Sequence, residues 1–236
     1  ENNIEHYVDE HLNVYAIKTT GEVPDDFIYP CVVSHTDTVH RLDKINIKEE
    51  MLPNAHNELK LSLKAYNDEG KPTGIGGDDK CGVYACLELL KELPNLKAAF
   101  FVSEETGCHG SKMADKSFFS NVGYAIQFDA PENWMVTETC FGAKLFERES
   151  EFFEKCDKVL TESMNDKRQY MIHPYTDVYA LKTKFDFACI NFSIGYYRYH
   201  TPNEYVVVED TYNGIKMGKD MIESLGYKKY NHNKQE

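Results

Sequence analysis

Apolar segments of strand length alternate in this chain with segments of helical periodicity, and this alternation constrains the fold most. Apolar runs and alternating patterns predict strands at residues 29–37, 58–67, 96–105, 124–129 and 188–195. Apolar residues that share one helical face predict helices at residues 80–93, 144–164 and 209–225. We therefore predict an α/β fold, a three-layer sandwich with a mostly parallel mixed central sheet and helices on both faces.

Length and composition indicate an ordinary globular protein. A chain of 236 residues matches one large α/β domain, and shares of 42% hydrophobic and 28% charged residues are typical of soluble proteins. Since no apolar run approaches the roughly 18–20 residues that span a bilayer, and no export signal is visible, we expect no membrane association.

The net charge and the cysteine content indicate which class of partner is disfavoured and which cellular compartment is favoured. The net charge of −13 argues against a nucleic-acid partner, because phosphate binding relies on clustered lysine and arginine. The seven cysteines are odd in number and lie mostly in apolar segments, which favours thiols in a reducing compartment. We expect a cytoplasmic protein; the sequence does not indicate its oligomeric state.

Polar residues follow the predicted strands at the edge where open α/β sheets bind ligands. These residues are His35, Asp37, Glu104, Glu105 and Asp129. Two further polar stretches, Gly77-Asp78-Asp79-Lys80 and the segment around His200, add a carboxylate pair and a second imidazole. Together they offer what a pair of divalent cations needs: a bridging carboxylate, terminal ligands and a spare base for water.

Each stretch alone also has a structural interpretation. A His-x-Asp after a strand is often a turn, and Asp78 or Asp79 is a suitable cap for a helix that begins at Lys80. A glutamate pair is usually the entry to a solvated loop. The occurrence of all the stretches in one order favours the metal site.

The motifs resemble those of the co-catalytic metallopeptidases of the peptidase T, carboxypeptidase and zinc aminopeptidase superfamily, with peptidase T most similar in motif wording. The matching stretches are VVSHTDTV (32–39), GGDDKCG (76–82), SEETGCHGS (103–111), QFDA (127–130), a TD pair (176–177) and YHTPNEY (199–205). The resemblance implies a phosphorylase/hydrolase-like zinc exopeptidase fold.

The resemblance also implies two bound divalent metal ions, which we expect to be zinc. In this chain Asp78 would bridge the ions, His35 with Glu105 or Asp129 would be terminal ligands, and His200 would close the second site. Ligands of nitrogen and carboxylate oxygen without cysteine suit a hydrolytic zinc site.

By the same resemblance Glu104 would be the general acid/base, acting on a water between the ions, and Asp37 would orient the imidazole of His35. We expect Glu104 to point away from Glu105 on an extended strand end. Arg198 and His200 would share one side of an extended stretch, so Arg198 is a candidate for binding a substrate carboxylate, although a surface arginine is the alternative. A neighbouring tyrosine hydroxyl is a candidate for stabilising an oxyanion.

The chain departs from peptidase T and the carboxypeptidases in one respect. Those enzymes place a lid domain between the fourth and fifth ligands, whereas only residues 130–199 separate Asp129 from His200 here. We predict a single catalytic domain over residues 1–236 without a lid.

The predicted function is a metal-dependent exopeptidase for short peptides, an aminopeptidase or a di/tripeptidase. One alternative is a carboxypeptidase or an amidohydrolase that acts on N-acyl amino acids. The other is a non-catalytic module that holds metal.

Overall fold

The computed structural model describes residues 4–41, 44–164, 168–173 and 175–231. In chain order the strands are β1 (Ile4–Val8), β2 (Val14–Lys18), β3 (Tyr29–His35), β4 (Asn46–Pro53), β5 (Leu59–Tyr66), β6 (Pro72–Thr73), β7 (Leu96–Phe101), β8 (Val122–Ala130), β9 (Met135–Cys140), β10 (Ala143–Lys144), β11 (Gln169–His173), β12 (Ala188–Ser193), β13 (Tyr196–Tyr197) and β14 (Tyr205–Val207). The helices are α1 (Gly77–Glu92), α2 (His109–Lys112), α3 (Lys116–Phe119), α4 (Glu151–Met164), α5 (Asp177–Lys184) and α6 (Val208–Leu225).

Within these residues the strands form two sheets. The larger has the order β1-β2-β7-β3-β8-β12-β9-β10, with β11 beside β9, and the smaller has the order β13-β14-β5-β4, with β6 beside β5. The four central strands, β7, β3, β8 and β12, pair in parallel, and the flanking pairs from β1 to β7 and from β12 to β10 are antiparallel. The predicted α/β class with a mixed sheet is confirmed.

The core lies against the central strands. Every residue of β3, β7 and β8 is buried, because α1 packs on one face of the sheet and α5 on the other. Continuous apolar sequence is the expected pattern for strands covered on both faces. These strands consequently form a fixed platform, and their carboxyl ends meet at one edge.

Two predicted boundaries were wrong. The helix predicted over residues 144–164 begins at Glu151, because Ala143 and Lys144 form a short strand with β9. The strand predicted over residues 96–105 ends at Phe101, and a turn follows it.

Among the described residues, no helix combines the length and the apolar character needed to cross a bilayer.

Candidate metal centre

The predicted site residues converge at the carboxyl edge of the central strands. His35 is the last residue of β3, Asp129 is the penultimate residue of β8, and Glu104 and Glu105 follow β7. The start of α1 brings Asp78 to the same place. All five residues are at least half-buried, so their side chains meet in a region largely shielded from water.

Asp78 lies between the two histidines. Its Oδ1 is 3.1 Å from Nε2 of His35, and its Oδ2 is 3.2 Å from Nε2 of His200. The two oxygens of one carboxylate therefore face different imidazoles, which is the geometry that a bridging ligand requires.

The remaining carboxylates divide between the two histidines. Oε2 of Glu105 lies 2.9 Å from Nε2 of His200, whereas Oδ1 of Asp129 lies 3.6 Å from Nε2 of His35. Glu104 is also close to His35, with Oε2 at 4.0 Å from Nε2. One donor atom from each of His35, Glu104 and Asp129 lies within 4.8 Å of the others, and the same is true of His35, Asp78 and Glu105. The structure thus brings together every residue predicted to bind metal.

Asp37 holds the site through its backbone and its side chain. Nδ1 of His35 lies 3.0 Å from the backbone carbonyl oxygen of Asp37 and 3.5 Å from its Oδ1. Because a carbonyl oxygen only accepts, Nδ1 is the donor in this contact, and Nε2 is the nitrogen that a metal ion would bind. The Asp37 carboxylate accepts hydrogen bonds from the backbone N–H groups of Glu104 and Glu105, at 3.1 and 3.2 Å.

Glu104 and Glu105 lie in a turn, and the expectation of an extended strand end was wrong. Ser103 adopts a left-handed conformation with φ of 56°, and the backbone N–H groups of Gly107 and Cys108 donate to the carbonyl oxygen of Glu104. A turn is required here because Asp37 holds both glutamate N–H groups on one side.

The two aspartates at the start of α1 have different roles. Asp79 Oδ1 accepts from the backbone N–H of Gly82 at 3.1 Å and so caps the helix, while its Oδ2 accepts from the hydroxyl of Ser34 at 2.7 Å. Asp79 thereby joins α1 to β3, and Asp78 is left to face the imidazoles. The peptide bond between Asp78 and Asp79 is cis.

Three residues that position the carboxylates were not predicted from the sequence. The amide of Gln127 donates to Oδ2 of Asp129 at 3.0 Å, and the hydroxyl of Tyr196 donates to Oδ1 at 3.2 Å. Glu204 is fully buried and accepts from the backbone N–H of Gly76 at 2.7 Å. Gln127 and Glu204 fall within the motif stretches 127–130 and 199–205, and a polar residue inside such a stretch was the available signal.

Burial and repulsion between neighbouring carboxylates have the largest effects on the pKa values of the two glutamates. Burial, and then the charge of Asp129, raises the pKa of Glu104 to about 9; burial, and then Asp78, raises the pKa of Glu105 to about 7. Burial lowers the pKa of His35, yet the surrounding carboxylates, Asp129 first among them, outweigh it and raise that pKa well above its usual value. A group of buried carboxylates in this state needs positive charge to be stable in its ionised form.

The donor set fits metal cations. Oε1 of Glu105 is buried without a hydrogen-bond partner, and neither carboxylate oxygen of the fully buried Asp177 has a well-aligned one. Imidazole nitrogen with carboxylate oxygen is the ligand combination of hydrolytic zinc sites. His35, Asp78 and Asp129 would hold one ion, and Asp78, Glu105 and His200 the other.

The structure does not bring Arg198 to the site. Arg198 and His200 both adopt left-handed conformations, with φ of 52° and 58°, in a turn, so the expected extended stretch was wrong. Arg198 is exposed and is not one of the residues that line the site cavity. Its neighbour Tyr199 does line it, whereas the hydroxyl of Tyr197 donates to Asp210.

A cavity of about 250 Å³ opens over the site. Its floor is acidic, and its walls come from the segment around β11 and from Tyr199 and His200. The lining residues are Asp78, Glu104, Glu105, Asp129, Met171, Ile172, His173, Tyr175, Tyr199 and His200.

The sequence profile described as peptidase family M20/M25/M40 matches residues 31–224. No curated protein sequence is significantly similar to the chain.

Several solved structures share the fold. Aminopeptidase PepT from Bacillus cereus is 13% identical, with a TM-score of 0.70 over 94% of this chain and 89% of that chain. A tripeptidase from Staphylococcus aureus is 12% identical, with a TM-score of 0.68 over 93% and 88%. The zinc aminopeptidase BSAP from Bacillus subtilis is 14% identical, with a TM-score of 0.60 over 95% of this chain and 51% of that chain.

Proposed function

Because the chain belongs to peptidase family M20/M25/M40, we propose that it is a metal-dependent exopeptidase that removes N-terminal residues from short peptides. The observation that carries the proposal is the position of Asp78 between His35 and His200, with Glu104 beside the same cavity. Metal binding alone does not require Glu104, whereas hydrolysis requires a base.

We assign the binding of two divalent ions, zinc by expectation, to His35, Asp78, Asp129, Glu105 and His200. When bound, the ions supply Lewis-acid polarisation of the substrate carbonyl and ease deprotonation of the attacking water. Asp37 keeps His35 oriented for this task through the hydrogen bond at Nδ1.

Glu104 is the proton carrier of the proposed reaction. Its carboxylate takes a proton from the water as the water oxygen attacks the carbonyl carbon, and passes that proton to the leaving nitrogen as the C–N bond breaks. The backbone N–H of Glu104 donates to Asp37, and the Glu104 side chain lines the cavity.

The acidic floor supports a preference for the N-terminus. Asp78, Glu104, Glu105 and Asp129 all line the cavity, and a substrate α-ammonium group is attracted by their charge where a carboxylate is repelled. Arg198, the residue that would favour a free carboxylate, lies outside the lining.

We also propose that the chain works as a single catalytic domain without a lid. In support, β9, β11 and β12, which lie between Asp129 and His200, all join the main sheet. Recognition of the substrate then depends on groups close to the metals.

The test compares two tripeptides with the zinc-loaded full chain: one with a free amino group and an amidated carboxyl, and its acetylated counterpart with a free carboxyl. We expect hydrolysis of the first, measured by release of the N-terminal amino acid. Preferential hydrolysis of the acetylated peptide would identify a carboxypeptidase or an N-acyl amino acid hydrolase. Hydrolysis of neither, by protein that holds zinc, would indicate a non-catalytic metal-binding module.

A further inference from the structure

One wall of the site cavity is apolar although the floor is acidic. Met171, Ile172, Tyr175 and Tyr199 line this wall. Ile172 is 78% exposed, more than any other large apolar residue in the described part of the chain. An apolar surface at the mouth of a polar cavity is the usual sign of a site that a ligand covers.

An irregularity in strand pairing lies beside the wall. In the parallel pairing of β11 with β9, Met171 faces Thr137 and Ile172 faces Thr139, so Glu138 of β9 is skipped. Consecutive residues of a regular strand point to opposite faces, yet Met171 and Ile172 both line the cavity. The unpaired Glu138 makes β9 the bulged strand, and this departure from regular pairing lies where Met171 and Ile172 both face the cavity.

Tyr175 is held in place from two sides. The ring of Phe141 packs edge-on against that of Tyr175, with centroids 5.3 Å apart, and Nδ1 of His173 donates to the backbone carbonyl oxygen of Tyr175. The wall is therefore formed before any ligand arrives, which lowers the entropic cost of binding to it.

We propose that Ile172 and Tyr175 form the subsite for the side chain of the substrate's N-terminal residue and select an apolar one, of the leucine, methionine or phenylalanine class. The inference rests on the proposed function. When the α-ammonium group of the substrate lies at the acidic floor, the side chain of the same N-terminal residue contacts the apolar wall. An acidic side chain would be repelled by the same floor, and a glycine would leave the wall exposed to water.

The activity test uses the zinc-loaded full chain and three tripeptides, Leu-Gly-Gly, Gly-Gly-Gly and Glu-Gly-Gly. We expect kcat/KM for the leucine peptide to exceed that of the other two by about ten- to a hundredfold, the discrimination typical of an apolar pocket. Ile172→Ser should lower the ratio of leucine to glycine peptide by about tenfold. The matched control Ile47→Ser, at an exposed isoleucine of β4 outside this cavity, should keep the wild-type ratio.

A binding test separates this inference from the proposed function. L-Leucinol and ethanolamine mimic N-terminal leucine and glycine without a peptide bond, and calorimetry with zinc-loaded protein measures their affinities. We expect leucinol to bind about tenfold more tightly than ethanolamine, and Ile172→Ser to remove the difference. If peptides are cleaved with equal efficiency, the subsite is overturned and the peptidase assignment stands. If no peptide is cleaved, the proposed function fails, and the two amino alcohols still decide the subsite: equal binding overturns it.

Discussion

Glu204 accepts a hydrogen bond from the backbone N–H of Asp78 at 3.0 Å. The other oxygen of the same buried carboxylate accepts from Gly76 and lies 3.1 Å from Nε2 of His40. The loop that carries His200 thus also fixes the backbone of the carboxylate between the two imidazoles.

We predict that Glu204→Gln lowers zinc affinity by about 10- to 100-fold, the usual effect of losing a partner that orients a ligand. The two oxygens of Glu204 each accept from a backbone N–H group, and the glutamine side chain would replace one of these oxygens with an NH₂ donor. Competition with a chromophoric chelator measures the affinity. Glu209→Gln, on the exposed start of α6, is the control. A folded Glu204→Gln protein with wild-type affinity would contradict this positioning role.

Asp78→Ala should prevent the binding of two ions. Each of its oxygens faces a different histidine, so its loss removes one ligand from both half-sites. Elemental analysis of protein dialysed with zinc should give two equivalents for the wild type and for Asp26→Ala, a change of an exposed aspartate. Two equivalents in Asp78→Ala, or one in the wild type, would show that Asp78 does not bridge.

The adjacent glutamates should respond differently to the same change. Glu104→Gln should keep the zinc content and lower turnover by roughly 10²–10⁴-fold, since a proton carrier is lost. Glu105→Gln should weaken zinc binding, because Glu105 lies 2.9 Å from His200 across the second half-site. Peptide turnover and zinc content are measured on both variants, and an active Glu104→Gln enzyme would reverse the two roles.

The stability of chelator-treated protein should fall as pH rises. In that state burial raises the pKa of Glu105 to about 7 and that of Glu104 to about 9, against about 4.3 for an unfolded chain. A carboxyl whose pKa is raised by folding stabilises the protein fully below the unfolded value, and this contribution is lost as the pH passes through the folded value.

We therefore expect the Tm of the chelated protein to decrease between about pH 5 and about pH 9. The double variant Glu104→Gln with Glu105→Gln should show a shallower decrease in differential scanning fluorimetry. A Tm that rises over this interval in the chelated wild type would mean that these carboxyls are already ionised there.

The parts of the fold that sequence predicted are those with a strong local pattern. β3, β7, β8 and β12 are continuously apolar because both faces are covered, and α1 and α6 have clear helical spacing. β1, β2 and β4 were missed because strands of mixed polarity depend on their partners in the sheet. The resemblance to co-catalytic metallopeptidases and the assignment as a peptidase are confirmed by the family match.

Within the site, sequence identified the donors but not the turns that aim them. Ser103, Arg198 and His200 adopt positive φ without being glycine, so the usual signal for such a turn is absent. For that reason Arg198 was expected beside His200, and Glu104 on an extended strand. The single-domain organisation and the roles of the site residues remain predictions.

The position of His200 in the chain has a consequence for how the site is completed during synthesis. His35, Asp78, Glu105 and Asp129 all belong to the segment that ends with β8, whereas His200 follows β12. Because a nascent chain emerges from its N-terminus, four of the five donors are available well before the last. Until the residues beyond β12 have emerged, the chain would carry one half-site's ligands, with the other half-site open on the side of the missing imidazole.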